Sequence, residues 1–156
     1  MSPQFTISSD LAIAASDLWR HAVTPVDINA EFKPLLQMRF PQGMDDVTEG
    51  WRPGSIGFRS WILLGGLLPV DYDDLRFVEL EPGRLFVERS TMLSQAYWEH
   101  RREIAPLEGG ARLTDTIEFA PRATVLTPLY ERVFSMIFRY RHRSLRRMYG
   151  RLITEA

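Results

Sequence analysis

The chain has 156 residues, 45% hydrophobic and 25% charged, the make-up of an ordinary globular chain, and residues 1–156 are expected to form one domain. A formal charge of -1 and a pI near 6.3 argue against a dedicated nucleic-acid binder, and no RNA or DNA motif is present. The lack of cysteine excludes disulfides, thiolate nucleophiles and Cys-ligated metal sites.

Met1 to Asp10 has neither the basic patch nor the apolar core of a secretory leader, so a cytoplasmic location is expected. Phe5, Ile7 and Ser9 alternate with Thr6 and Ser8, which predicts a first strand. Ser16 offers an N-cap for a short helix holding Leu18 and Trp19. A second helix start follows at Thr24, with Pro25 in the first turn, Asp27 near the positive end of the dipole and Pro34 as the stop.

From Leu36 the period changes to two, with Leu36, Met38 and Phe40 alternating with polar residues, before a polar loop from Gln42 to Gly54. Ile56 to Leu64 reads as a strand, broken by Gly65 and Gly66. The most apolar run, Trp61 to Val70, is too short to cross a bilayer and is interrupted by those glycines and Pro69, so no transmembrane segment is expected. Leu67, Leu68 and Val70 form either a loop over a cavity mouth or a strand bend buried in the core. The Pro82-Gly83 turn pairs Leu75 to Leu80 with Leu85 to Met92.

The next hairpin, Tyr97 to Pro121, is read as turning at Gly109 and Gly110. Pairing Glu108 with Ala111 sets Ile104 opposite Asp115, Arg102 opposite Ile117 and His100 opposite Phe119. The apolar Leu113, Ile117 and Phe119 mark that face, shared with Trp98, as the inner one. Glu99, Arg101, Glu103, Thr114, Thr116 and Glu118 take the solvated face.

Thr127 to Gly150 reads as a long helix of about 33 Å, with Thr127 as N-cap, Pro128 in the first turn and Gly150 just past the end. Tyr130, Phe134, Ile137, Leu145 and Met148 fall on one side, and Arg132, Arg139, Arg143, Arg146 and Arg147 on the other. The arginine side meets no acid after Glu131 until Glu155, and is either a solvated face or a surface for an anionic partner. Arg141 breaks the pattern, because it lies on the apolar stripe one turn from Ile137 and Leu145. It is expected to point inward, with Asp115 as the favoured partner, either as a structural clamp or as an anchor for a ligand.

The order of strand, two short helices, antiparallel strands and long C-terminal helix resembles the SRPBCC superfamily of START-like, polyketide-cyclase-like and birch-pollen-allergen-like proteins. The residues carrying the likeness are Phe5 to Trp19, Gly66-Leu67-Leu68-Pro69, Trp98-Glu99-His100, Gly110 to Phe119, Pro121 and Phe138-Arg139-Tyr140-Arg141-His142 before Leu145. The resemblance implies an α+β helix-grip fold, a curved antiparallel sheet wrapped around the long helix, with an internal cavity for a small, mainly apolar molecule. It supplies no catalytic residues that match position by position.

His21, His100 and His142 lack the spacing of a local metal motif, and neither a metal nor a cofactor is expected. His100 sits on the inner face, where it is either a proton donor and acceptor or a hydrogen-bonded structural residue. Arg102 and Asp115 share that face one diagonal apart, as an ion pair or a polar anchor. The expected ligand wall is Trp98, His100, Arg102, Asp115, Ile117 and Phe119 from the hairpin, with Tyr130, Phe134, Ile137 and Arg141 from the helix. The alternatives are a cyclase or dehydratase with His100 as acid or base and Arg102 or Tyr130 steadying an enolate, and a partner-binding module using the arginine face. Oligomeric state cannot be read from the sequence.

Overall fold

The computed structural model describes residues 2–153, so Glu155 lies outside the described residues. In chain order the elements are β1 (Gln4–Leu11), α1 (Ala15–Val23), α2 (Pro25–Phe32), β2 (Leu36–Met38), β3 (Phe58–Leu64), β4 (Leu68–Leu75), β5 (Phe77–Glu81), β6 (Leu85–Met92), β7 (Gln95–Leu107), β8 (Gly110–Pro121) and α3 (Thr127–Tyr149). A single 3-10 turn, Thr124–Leu126, leads into α3. The strands form one antiparallel sheet in the order β1-β8-β7-β6-β4-β3-β2, with β5 also paired to β6.

The sheet curls around α3, as the helix-grip reading expects. Alternation on β7 and β8 sends Trp98, His100, Arg102, Ile104, Leu113, Asp115, Ile117 and Phe119 inward, all buried, while Glu99, Arg101, Glu103, Thr114, Thr116 and Glu118 stay partly exposed. α3 brings Phe134, Phe138, Arg141, His142, Ser144 and Leu145 against that face. Phe119, Phe134, Phe138, Trp98 and Ile117 then form one apolar cluster, and Leu11, Leu18, Phe86, Ile104, Leu113 and Leu145 belong to another.

The register of the long hairpin differs from expectation by two residues. Leu107 faces Gly110, so the turn is Glu108-Gly109, and Arg102 stands directly opposite Asp115, His100 opposite Ile117 and Trp98 opposite Phe119. Because the strand period is two, this even shift keeps every residue on its expected face. Gly110 must be extended and small rather than turned. A Cβ there would lie 2.0 Å from the Leu11 carbonyl oxygen, whereas Gly109 carries the positive φ of 82°.

Three helix caps also differ. Ser16 lies inside α1, which starts at Ala15; the Thr24 hydroxyl donates back to the Arg20 carbonyl at 2.5 Å instead of capping α2. Thr127 is already helical, and its hydroxyl donates to the Thr124 carbonyl. Met148, placed on the apolar stripe, is 40% exposed, while Phe138 and His142 are buried in its stead. The Gly65 to Val70 segment is neither a mouth cover nor a buried bend. It is the tight turn from β3 into β4, with Leu64 paired to Leu68 and Leu67 88% exposed.

Gly110→Ala should lower stability by about 2 kcal/mol, the usual scale for forced overpacking. Gly109→Ala should cost about 1 kcal/mol through backbone strain alone. Urea unfolding of both variants checks the order.

Candidate functional site

Arg102 on β7 is 1% exposed, and a guanidinium cannot shed its proton, so its charge must be met inside the protein. Two carboxylates do this. Glu31 on α2 accepts from Nη1 at 3.0 Å and Nη2 at 2.9 Å, and Asp115 on β8 accepts from Nε at 2.8 Å and Nη2 at 2.9 Å. Arg141 on α3 donates its Nε to Glu31 at 3.0 Å and stacks its guanidinium over the rings of Phe32 and Phe138. Its partner is therefore Glu31. The expected partner, Asp115, is already occupied by Arg102 and two histidines.

The histidines complete the network. Nε2 of His100 and Nε2 of His142 donate to Asp115 at 2.7 and 2.8 Å, and Nε2 of His21 donates to Glu31 at 2.8 Å. Nδ1 of His142 is hydrogen-bonded to the Ser9 hydroxyl at 2.7 Å, which accepts from Arg146, and Nδ1 of His21 is hydrogen-bonded to the Tyr149 hydroxyl. Residues far apart in sequence thus converge on two carboxylates. Burial would push Glu31 and Asp115 up, but Arg102 with Arg141 and His21 holds Glu31, and Arg102 with His100 holds Asp115, well below the usual carboxylate range.

Beside this cluster a cavity of about 80 Å³ lies between sheet and α3, walled by Trp98, Phe134, Phe138, Met92, Ile62 and Ile137, with His100, Glu88, Asp73 and Arg141 at its polar end. A second lobe of about 40 Å³ adjoins it through Met38, Glu88, His100 and Arg141, and reaches Arg102. Leu36, Met38, Ile62 and Ile137 are only partly buried, which puts the opening between the edge strand β2 and α3. Of the expected wall, Trp98, His100, Phe134, Ile137 and Arg141 reach the main cavity. Arg102 touches the second lobe with its nitrogens already engaged. Asp115, Ile117 and Phe119 are 0% exposed behind the wall, and Tyr130 stacks on Phe134 at 5.6 Å.

A larger groove of about 550 Å³ runs over the outer face of the sheet between Gly54 to Arg59, Arg76, Arg89 and Tyr97. Its arginines Arg59 and Arg89 are bound by Asp74 at 2.7 Å and Glu99 at 2.8 Å. The inner cavity is the better candidate, since it combines an enclosed aromatic wall with convergent buried polar groups.

Sequence reading missed Glu31, His21, His142, Asp73 and Glu88. Glu31 carried the same signal as Arg141, a charge on the apolar face of its helix between Ile28 and Phe32. Asp73 and Glu88 gave weaker signals, because β4 reads Asp71-Tyr72-Asp73-Asp74 without a clear alternation.

The comparisons agree with this architecture. A family profile described as "Domain of unknown function (DUF8410)" matches residues 9–149. The chain belongs to the DUF8410 family. No curated protein matches this DUF8410 chain in sequence. Among solved structures it is similar to protein CV1439 from Chromobacterium violaceum, with 14% identity, TM-score 0.69, and 94% of this chain and 97% of that one covered. It is also similar to the Zhui aromatase/cyclase from Streptomyces sp. R1128 (13% identity, TM-score 0.64, 96% and 98% covered) and to Ara h 8.0201 (10%, 0.59, 93% and 98%). These likenesses establish the helix-grip fold for this DUF8410 member. No helix among the described residues is long and apolar enough to cross a membrane.

Arg102→Met should cost about 3–5 kcal/mol, because it removes the one guanidinium shared by two buried carboxylates and leaves Asp115 with histidines alone. Arg141→Met should cost about 2 kcal/mol, since Glu31 keeps Arg102 and His21. Chemical denaturation of each variant measures the difference. Both carboxylates have depressed folded values, so the stability they confer is present above their ordinary values of 4.5 and 3.8 and is lost as pH falls through the folded ones. The melting temperature should therefore fall on acidification below about pH 4.5, and a scan from pH 7 to 3 tests it.

Proposed function

We propose that this DUF8410 protein binds a small, mainly apolar molecule in the cavity between sheet and α3. The observation that carries the reading is the enclosed aromatic wall of Trp98, Phe134 and Phe138 meeting buried polar groups at one end. Burying aliphatic or aromatic surface against those rings supplies the affinity, and the polar end supplies orientation. The aromatase/cyclase and Ara h 8.0201 likenesses support a fold able to enclose such a cavity.

Size limits the ligand. A cavity of about 150 Å³ takes up benzene, so the closed form here, with about 80 Å³, admits only a short chain or part of a ring. A lipid or polyketide would require β2 to move away from α3. That strand has three residues, pairs with β3, and is tied to α2 by the Asn29 side chain, which bonds the Met38 carbonyl at 2.9 Å and N–H at 2.8 Å, so opening would have to break those bonds.

A second reading, a cyclase or dehydratase, draws on His100, which reaches the cavity with Asp115 behind its Nε2. Arg102 is a poor choice for steadying an enolate, because Glu31 and Asp115 take up its Nε and both Nη groups.

Native mass spectrometry of protein purified from its own host should reveal a co-purifying small molecule. In a variant keeping Trp98 as its single tryptophan, ligand should change the emission and acrylamide should quench it weakly. Emission indifferent to every ligand and open to quencher would remove Trp98 from the wall. Chemical change of polyketide-like compounds, lost in His100→Ala, would favour the enzyme.

A further inference from the structure

Asp73 on β4 and Glu88 on β6 both line the inner cavity, at 4% and 6% exposure. Neither has a lysine or arginine within ion-pair distance among the described residues. The two buried arginines are taken by Glu31 and Asp115, and the nearest cationic partner for Glu88 is Nδ1 of His100 at 3.7 Å. The Ser90 hydroxyl donates to Glu88 at 3.1 Å, but Oδ1 of Asp73 has no hydrogen-bond partner, and neither does the hydroxyl of Ser60 directly across β3. A buried acceptor left open in this way has lost water without gaining a partner. Burial first, and then the neighbouring Glu88, push the Asp73 carboxyl well above its usual range, while hydrogen bonds from Asp73 and His100 hold Glu88 low despite its burial. These directions favour a single proton held on Asp73 beside the Glu88 carboxylate.

Histidines aside, ionised acids outnumber arginines around the cavity. With that proton counted, Glu31, Asp115 and Glu88 stand against Arg102 and Arg141, leaving one negative charge before any histidine proton. The walls facing the acids are the rings of Trp98, Phe134 and Phe138, whose π faces favour a cation.

Taking the cavity as the ligand site proposed above, we infer that it recognises an apolar molecule bearing a protonated nitrogen, with Asp73 and Glu88 as acceptors of its N–H groups. The ammonium donates to the open Oδ1 of Asp73 and displaces the proton held there to solvent, so one cation replaces one proton and the pair becomes doubly ionised. Arg141 lines the same cavity, but its charge is met by Glu31 at 3.0 Å. The other groups facing the pair are His100 from β7, Ser90 from β6, Ser60 from β3 and Asp71 on β4 itself. Because a proton leaves on binding, affinity rises with pH, by at most about tenfold per unit.

The test uses calorimetry with n-butylamine, n-butanol and butyrate at pH 6, 7 and 8, on the full chain and on an Asp73→Asn/Glu88→Gln variant. That variant removes like charges from a buried site and should fold, as circular dichroism will show. The amine should bind at least tenfold tighter than the alcohol, release a proton detectable as a buffer-dependent heat, and lose its advantage in the variant. Equal binding of amine and alcohol, or an amine preference that survives in the variant, overturns the inference while leaving the cavity as a ligand site. Binding of none of the three, with unchanged tryptophan emission, overturns both.

Discussion

The structure depends on one charge that cannot be neutralised. Arg102 sits at the centre of β7 with 1% exposure, and its two acids come from elements on opposite sides, Asp115 from β8 and Glu31 from α2. Glu31 in turn holds Arg141, and Asp115 holds His142, so both residues at the middle of α3 are tied to the same centre. Buried ion sets of this kind gain little net stability over apolar residues of equal volume, but losing one member is costly. The consequence is positional. α2, α3 and the β7–β8 hairpin must meet in one arrangement, because in any other a charge is stranded in the core.

That closed cluster separates two kinds of buried polar group. Around Arg102 the hydrogen-bonding groups are matched, down to Ser9 and Tyr149 behind the histidines. Away from it, Ser60, Asp73 and Gln95 each keep an unpartnered oxygen, and Asp73 lines the cavity. The polar groups are thus matched around Arg102 and left open at Asp73, beside the cavity. His100 belongs to both, with Asp115 at one nitrogen and Glu88 at the other.

Faces were legible in the sequence where periodicity was strict, and registers were not. The alternation of β7 and β8 identified every inward residue, yet the Gly-Gly dipeptide misplaced the turn, because Gly110 is needed for its small size against Leu11 and not for its torsion. On α3, Arg141 stood out as a charge in an apolar stripe, and it is buried. Its partner was not legible, since the stripe says which way a side chain points but not which distant element arrives there. Glu31 comes from 110 residues earlier in the chain. β4 and β5 were read as one extended run because nothing in Tyr72 to Leu80 signals that the strand changes partner near Arg76.

That change of partner explains where the open site lies. β4 meets β6 over only two register pairs, Asp73 with Met92 and Asp74 with Thr91, after which β6 pairs with β5 instead. Asp73 is thus opposite Met92, four residues along β6 from Glu88, a separation that a flat sheet would not bring into hydrogen-bonding range. Their carboxyls nevertheless interact, beside the seam where the sheet's pairing is thinnest. The cavity lies beside the same seam, lined by Ile62 of β3, Asp73 of β4 and Phe134, Ile137 and Phe138 of α3. The acid pair and the cavity therefore meet at one short seam in the sheet, and substitutions that lengthen the β4–β6 pairing should disturb both together.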